Sequence, residues 1–93
     1  MEIKLNDLLI NRTFREAGIE VSKMIEENMP QKFIIDMKDS AGMPTLFMNA
    51  AFAPLIDKYG ITKTKSKISF KNLTKIQRNL IIKYFEDYSE LKN

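Results

Sequence analysis

The sequence lacks both cysteine and histidine, and it has no tryptophan. Without cysteine the chain can form neither a disulfide nor a thiolate metal site. Without histidine it lacks the commonest protein ligand for metals and the usual general base near neutral pH. We therefore expect no metal site, no cofactor and no enzymatic activity.

Long apolar runs are missing as well, since no stretch approaches the roughly 18 residues that a membrane-spanning helix needs. The chain does not open with the layout of a signal peptide. We therefore expect a cytoplasmic protein with no membrane partner. With 93 residues, 44% of them hydrophobic, the chain suffices for one modest core, so we predict a single domain over residues 1–93.

The net charge of +3 is unevenly distributed along the chain. Residues 1–57 carry a balance of −3, whereas residues 58–93 carry +6. No acidic residue lies between Lys58 and Phe85, a segment that contains eight basic ones: Lys58, Lys63, Lys65, Lys67, Lys71, Lys75, Arg78 and Lys83. Such a segment could face an acidic protein or a nucleic acid, or it could merely keep a small domain soluble.

The spacing of apolar residues predicts three helices, at about residues 14–28, 44–59 and 73–91. Thr13 and Glu16 form a capping box at the start of the first, and Pro30 requires that helix to end before it. Strands are predicted at residues 1–5, 32–37 and 67–70, with a lysine-rich loop at residues 62–66 before the last. Residues 8–10 are either a further strand or part of the turn into the first helix.

Strands separated by helices predict an α/β fold with a small open sheet, largely parallel or mixed, of three to four strands with three helices. The unbroken apolar row Phe33, Ile34 and Ile35 indicates a central strand that is covered on both faces. One set of residues should be buried together: Phe33, Ile35, Phe47, Phe52, Leu55 and Leu80.

The last helix carries both a core stripe and a possible binding face. The predicted stripe consists of Leu73, Ile76, Leu80, Ile81, Tyr84, Tyr88 and Leu91. On the opposite face, projection at about 100° per residue brings together the basic Lys71, Lys75 and Arg78 with the apolar Ile82, and Phe85 beside them. On the second helix, Leu46, Ala50 and Ala53 share an outward direction. Apolar residues on a basic surface are either chance exposures or an interface.

Asp36 and Asp39 are the only carboxylates near the end of the predicted central strand. Paired carboxylates can hold Mg²⁺, and in α/β folds that edge of the sheet is where ligands usually bind. Two carboxylates without a glycine-rich phosphate loop are insufficient for a phosphoryl-transfer enzyme. We expect Asp36 to solvate the strand end and Asp39 to stabilise a turn.

The stretch of residues 33–55 (FIIDMKDSAGMPTLFMNAAFAPL) resembles the STAS-like family, distant relatives of the anti-sigma-factor antagonist domain. The family pattern is a hydrophobic strand ending in Asp, a loop of about ten residues, and a helix that opens with Ser or Thr before Phe. Matching residues are Asp36, Thr45, Phe47, Phe52 and Leu55. Residues 59–60 and 68–73 are similar to the family's next strand and the start of its final helix, and residues 11–14 to the turn before its first helix.

This resemblance implies a non-enzymatic regulatory module that binds a protein partner, either a kinase-like ATPase or a phage- or defence-associated factor. Antagonists of this kind meet a kinase through the helix that here starts near Thr45, and they are phosphorylated in a hydroxyl pair preceded by Asp. Here Thr45 takes the first position, Leu46 the second and Pro44 that of the Asp. Thr45 is therefore a candidate phosphorylation site. Ser40 is a second one, because residues 39–42 (DSAG) imitate the motif, although they lie too early in the chain. Helix-end capping is the alternative role for both hydroxyls.

The candidate partner-binding residues are Thr45, Leu46, Ala50, Lys75, Arg78, Ile82 and Phe85. The alternative function is a nucleic-acid-associated factor that uses residues 58–83. The basic residues are not interleaved with evident aromatic stacking platforms, which argues against that alternative. The sequence does not specify an oligomeric state.

Overall fold

The computed structural model of the chain describes residues 1–29, 31–40 and 42–92, with side chains up to residue 89. The strands are β1 (Glu2–Lys4), β2 (Phe33–Asp36) and β3 (Ile68–Lys71). The helices are α1 (Leu5–Leu8), α2 (Phe14–Asn28), α3 (Thr45–Tyr59), α4 (Ile61–Lys67) and α5 (Lys75–Lys92). Within the described residues we find no helix with the length and hydropathy that crossing a bilayer requires.

The three strands form one parallel sheet in the order β1-β2-β3. Ile3, Ile35 and Phe70 lie side by side in this register. Because side chains alternate between the two faces of a sheet, these residues share a face with the buried Phe33 and with Ile68. That face contributes to the core.

The other face of the sheet is more polar than expected. It bears Glu2, Lys4, Ile34, Asp36, Ser69 and Lys71, all of them exposed or half-buried. The prediction that β2 is central is confirmed, whereas the prediction that both its faces are covered is wrong. Ile34 is only half-buried because its neighbours on the flanking strands are Glu2 and Ser69.

The α/β class and the small open sheet are confirmed, but the described residues form five helices rather than three. Residues 8–10 do not form a strand, because α1 follows β1 directly and buries Leu5. The predicted lysine-rich loop is largely the helix α4. Its composition gives no clear helical pattern, but Thr64 is 2% exposed and α4 packs on α3 and β3. Tertiary packing stabilises this short helix.

The pair α2 and α3 makes the largest helix–helix contact of the fold. α2 has the bounds that the sequence predicts, and its capping box is present: Glu16 N donates to Thr13 Oγ1 at 3.1 Å, and Thr13 N donates to Glu16 Oε1 at 2.9 Å. Gly18 lies at the crossing, where a Cβ would come within 2.7 Å of Ala50 Cβ. The lack of a side chain at Gly18 allows the two helices to approach closely.

The core is centred on Phe52, which is fully buried. Its ring meets those of Phe47 and Phe70 edge-on, with centroids 6.2 and 6.1 Å away, and stacks on that of Phe85 at 5.6 Å. Such aromatic pairs add to the free energy of burial. The burial of Phe33, Ile35, Phe47, Phe52 and Leu55 is confirmed.

The predicted core stripe of α5 is only partly correct. Ile76 is 71% exposed and Leu80 is 39% exposed, whereas Gln77 and Phe85 are buried. α5 is therefore rotated relative to the prediction, because the polar Gln77 occupies an inward position that the apolar pattern gave to Ile76. Leu91, the last residue of the predicted stripe, has its side chain outside the described residues.

Candidate functional site

Polar side chains at the carboxyl ends of the strands are held by contacts within the chain. Asp36 Oδ1 accepts hydrogen bonds from Asn72 Nδ2 at 2.7 Å and from Lys38 N at 3.0 Å. These bonds, and then the positive charges of Lys71 and Lys4, lower the pKa of the Asp36 carboxyl. Asp39 Oδ2 lies 3.2 Å from Lys4 Nζ. In the described part of the chain no group of three or more carboxylates is placed to hold a metal ion.

The loop between β2 and α3 is fixed by Gln77, which is 1% exposed. Gln77 Nε2 donates to the carbonyl oxygens of Ser40 at 2.8 Å and Gly42 at 3.1 Å. Gln77 also completes a capping box with Thr74 at the start of α5. Sequence reasoning missed this residue, although the spacing from Thr74 to Gln77 is a capping-box signal. The start of α5 thus anchors the loop that leads into α3.

The first turn of α3 presents two of the predicted site residues to solvent. Thr45 is exposed and Leu46 is 55% exposed. Pro44 is the N-cap and provides no side-chain hydrogen bond; its carbonyl accepts from Phe47 N at 3.0 Å and Met48 N at 3.2 Å. Thr45 therefore does not cap the helix.

Ser40 is a poorer candidate for modification than Thr45. Its Oγ is buried and has no hydrogen-bond partner among the described residues. The Ser40 backbone is held at both polar groups, since its N–H donates to Met37 O at 3.0 Å and its carbonyl accepts from Gln77. A kinase could reach this hydroxyl only after the loop had opened.

A groove of about 340 Å³ runs between α3 and α5 beside this turn. It is lined by Thr45, Met48, Asn49, Leu80, Lys83, Tyr84, Asp87 and Tyr88. The Tyr84 hydroxyl is buried without a hydrogen-bond partner in the described residues, and burial raises the pKa of Tyr84 to about 12. Because Ile76 lies one turn before Leu80, these two exposed apolar residues are on the same side of α5. We call Thr45, Leu46, Ile76 and Leu80 the α3 surface.

Ala50 does not belong to this surface. It is half-buried, and it faces Gly18 of α2 at the helix crossing. Its outward direction was predicted from α3 alone, and the neighbouring helix covers it. Ala50 is therefore a packing residue in this fold.

The other predicted residues lie on the opposite flank of α5. Lys75 and Arg78 are exposed and Ile82 is 49% exposed, as the helical projection predicts. The prediction that Phe85 is exposed is wrong. Phe85 is 6% exposed and its ring stacks on that of Phe52, while Lys65 Nζ lies 5.8 Å from the Phe85 ring centroid. The inward rotation of α5 explains its burial.

Acidic side chains compensate part of the basic segment. Lys58 Nζ lies 2.6 Å from Glu26, Lys71 Nζ lies 3.4 Å from Glu2, and Lys83 Nζ lies 3.0 Å from Asp87. The hydrogen bonds from Lys58 and Tyr59 lower the pKa of Glu26. These exposed pairs contribute little to stability, but they reduce the positive potential that a polyanion would meet.

Comparison with known proteins adds one finding. The sequence model of a protein family described as a STAS-like domain of unknown function matches residues 17–78, about two thirds of the chain. The match begins inside α2 and ends just after the start of α5, so it includes β2, the loop that Gln77 holds, and α3. Neither a curated protein nor a solved structure matches the chain significantly.

Proposed function

This chain belongs to the family of STAS-like domains of unknown function, and we propose that it is a regulatory module that binds a protein partner through its α3 surface. The observation that carries this proposal is the exposure of apolar side chains there. Leu80 is 39% exposed and lines the groove between α3 and α5, Ile76 is 71% exposed one turn before it, and Leu46 is 55% exposed next in sequence to Thr45, which also lines the groove. Clustered apolar exposure is more typical of an interaction site than scattered single residues are.

The composition supports a role in partner binding rather than in catalysis. The chain has no histidine and no cysteine, and Asp36 and Asp39 are both engaged by neighbouring side chains. The first partner to test is a kinase-like ATPase, because the antagonist domains that the family resembles bind such an enzyme. A phage- or defence-associated factor is the second.

Regulation of this surface by phosphate at Thr45 is part of the proposal. Thr45 is the first residue of α3, where helix amides without intrahelical partners favour negative charge. A phosphate there would place a charge beside Leu46, whose burial against a partner would then be opposed by the cost of desolvating that charge. Phosphorylation of Thr45 should therefore change partner affinity without unfolding the domain.

The test starts with capture of partners from the native host, with and without nuclease, followed by pairwise binding of the purified partner. Leu46→Asp should weaken binding because a buried apolar contact is lost, and Thr45→Glu should alter it through charge. Ile19→Asp is the matched control, since Ile19 is an exposed apolar residue of α2, 41% exposed. All three variants should melt near the wild-type temperature.

Unchanged affinity of both Leu46→Asp and Thr45→Glu would contradict the proposed surface. If nuclease removed every captured partner, the alternative function, a nucleic-acid-associated factor using residues 58–83, would replace it. That alternative is supported by charge alone, and it predicts affinity that falls steeply with salt and shows little sequence preference.

A further inference from the structure

We propose that the free edge of β3 binds an extended strand of a partner protein in which apolar residues alternate with acidic ones. β3 lies at the end of the sheet, and among the described strands it pairs with β2 alone. The amide of Met37 donates to the carbonyl of Lys71 at 2.8 Å, so that carbonyl points towards β2. An unpaired strand edge is a template for a further strand.

The direction of the Lys71 carbonyl determines which backbone groups face outward. In a parallel ladder alternate residues direct their N–H and C=O groups to the same neighbour. Ser69 and Lys71 therefore pair with β2, while Phe70 N–H, Phe70 C=O and Ile68 C=O point away from the sheet. The Ile68 N–H is already used, because it donates to the carbonyl of Lys65 at the end of α4. One donor and two acceptors remain for an added strand.

A pocket of about 210 Å³ lies between this edge and α5. Its apolar lining comes from Ile68 and Phe70 of the strand and from Ile81, Ile82 and Phe85 of the helix. Residues of an added strand that stand beside Ile68 and Phe70 would project on the same side of the sheet, and hence into the pocket. Alternate positions of the bound strand should therefore be apolar, which is how strand addition gains specificity.

The charge near the edge indicates which residue types suit the remaining positions of the bound strand. Lys65 lines the pocket, Lys67 directly precedes β3 and Lys71 is its last residue, and Glu86 is the only acidic residue that lines the pocket among the described residues. Side chains between the apolar positions would lie beside Ser69 and Lys71 on the polar face. Lys71 is 55% exposed in its pair with Glu2, so it can exchange that partner for a new carboxylate. Acidic residues at these positions complement the charge.

Other occupants fit the edge less well. A second copy of this chain that paired through its own β3 would bring the same lysines together, which costs free energy. A nucleic acid would satisfy the charge, but it offers no strand to pair with the edge. The inference does not rest on the α3 surface, which lies on the other flank of α5, so either can fail alone.

The probe is a synthetic peptide of about six residues that alternates valine and glutamate, with binding followed by fluorescence anisotropy. It should bind the wild-type chain, and Ile82→Glu should weaken binding by at least about tenfold, because it puts a charge into the pocket. Lys71→Glu should also weaken it. Ile19→Glu is the matched control, because Ile19 is an exposed apolar residue of α2 that does not line the pocket, and it should leave the affinity unchanged.

The mode of binding is tested by amide hydrogen exchange. The Phe70 amide should become protected when the peptide binds, since only backbone pairing reaches that group. The proposal is overturned if Phe70 gains no protection, if a lysine-for-glutamate peptide binds equally well, or if Ile82→Glu has no effect. Binding of single-stranded DNA but not of the peptide would assign the edge to a nucleic acid. Dimerisation abolished by Ile82→Glu without peptide binding would assign it to a second copy.

Discussion

Replacement of Gly18 by alanine tests the packing that positions α3. A Cβ at this residue would lie 2.7 Å from Ala50 Cβ, 2.7 Å from the carbonyl oxygen of Phe47 and 3.1 Å from the amide nitrogen of Ala51. Carbon atoms pack best at about 3.5–4.0 Å. Two of the three contacts are to backbone atoms, which cannot rotate away. The helices would therefore have to separate by about 1 Å.

The expected magnitude follows from two opposing effects. Overpacking a core contact costs about 1–3 kcal/mol, and the backbone contacts place Gly18→Ala in the upper part of that range. Alanine favours the helix over glycine by about 1 kcal/mol. We therefore expect a net loss of about 1–2 kcal/mol, which lowers the melting temperature by about 4–8 °C per kcal/mol in a domain of this size.

Thermal and urea unfolding of Gly18→Ala would measure this loss, with the exposed Lys23→Ala as a control on the same helix. The double variant Gly18→Ala/Ala50→Gly should be less destabilised than the sum of the single variants, because one of the two shortest contacts is removed. A melting temperature of Gly18→Ala equal to or above that of the wild type would refute the close α2–α3 crossing and, with it, the assignment of Ala50 to packing.

Three further predictions concern the core, the loop and pH. Phe52→Ala should lower the free energy of unfolding by about 3–5 kcal/mol, because its ring meets four others; unchanged urea unfolding would contradict this core. Gln77→Ala should cost about 1–3 kcal/mol and speed hydrogen exchange at Ser40 N–H, whereas exchange at wild-type rates would show that Gln77 does not hold the loop. Burial raises the pKa of Tyr84 from 10.0 to about 12, so the unfolded chain loses this proton first and stability should fall as pH rises through that window. Tyr84→Phe should lack this part of the fall, and at neutral pH it should be at least as stable as the wild type, because the hydroxyl has no partner among the described residues.

Local signals in the sequence were enough for α2 and for the order of the main elements. The capping box at Thr13 and the apolar spacing after it specify the start and the inward face of α2, because both depend on residues within a few positions of each other. The exposure of Thr45 and Leu46 also follows from the spacing within α3. The missed helix α4 has no comparable signal, since its stability comes from packing on α3 and β3.

The amino-acid sequence alone is sufficient to establish that the chain has no thiol or imidazole group, to which family it belongs, and that strands alternate with helices. Which faces are free depends instead on the tertiary fold. In α5 the side that faces the core contains Gln77 and Phe85, so Ile76 is exposed. The close approach of α2 and α3 at Gly18 places α2 against Ala50. The strand order leaves β3 at the edge of the sheet. Periodicity specifies the direction of a side chain on its own helix or strand, whereas its burial depends on residues distant in the sequence.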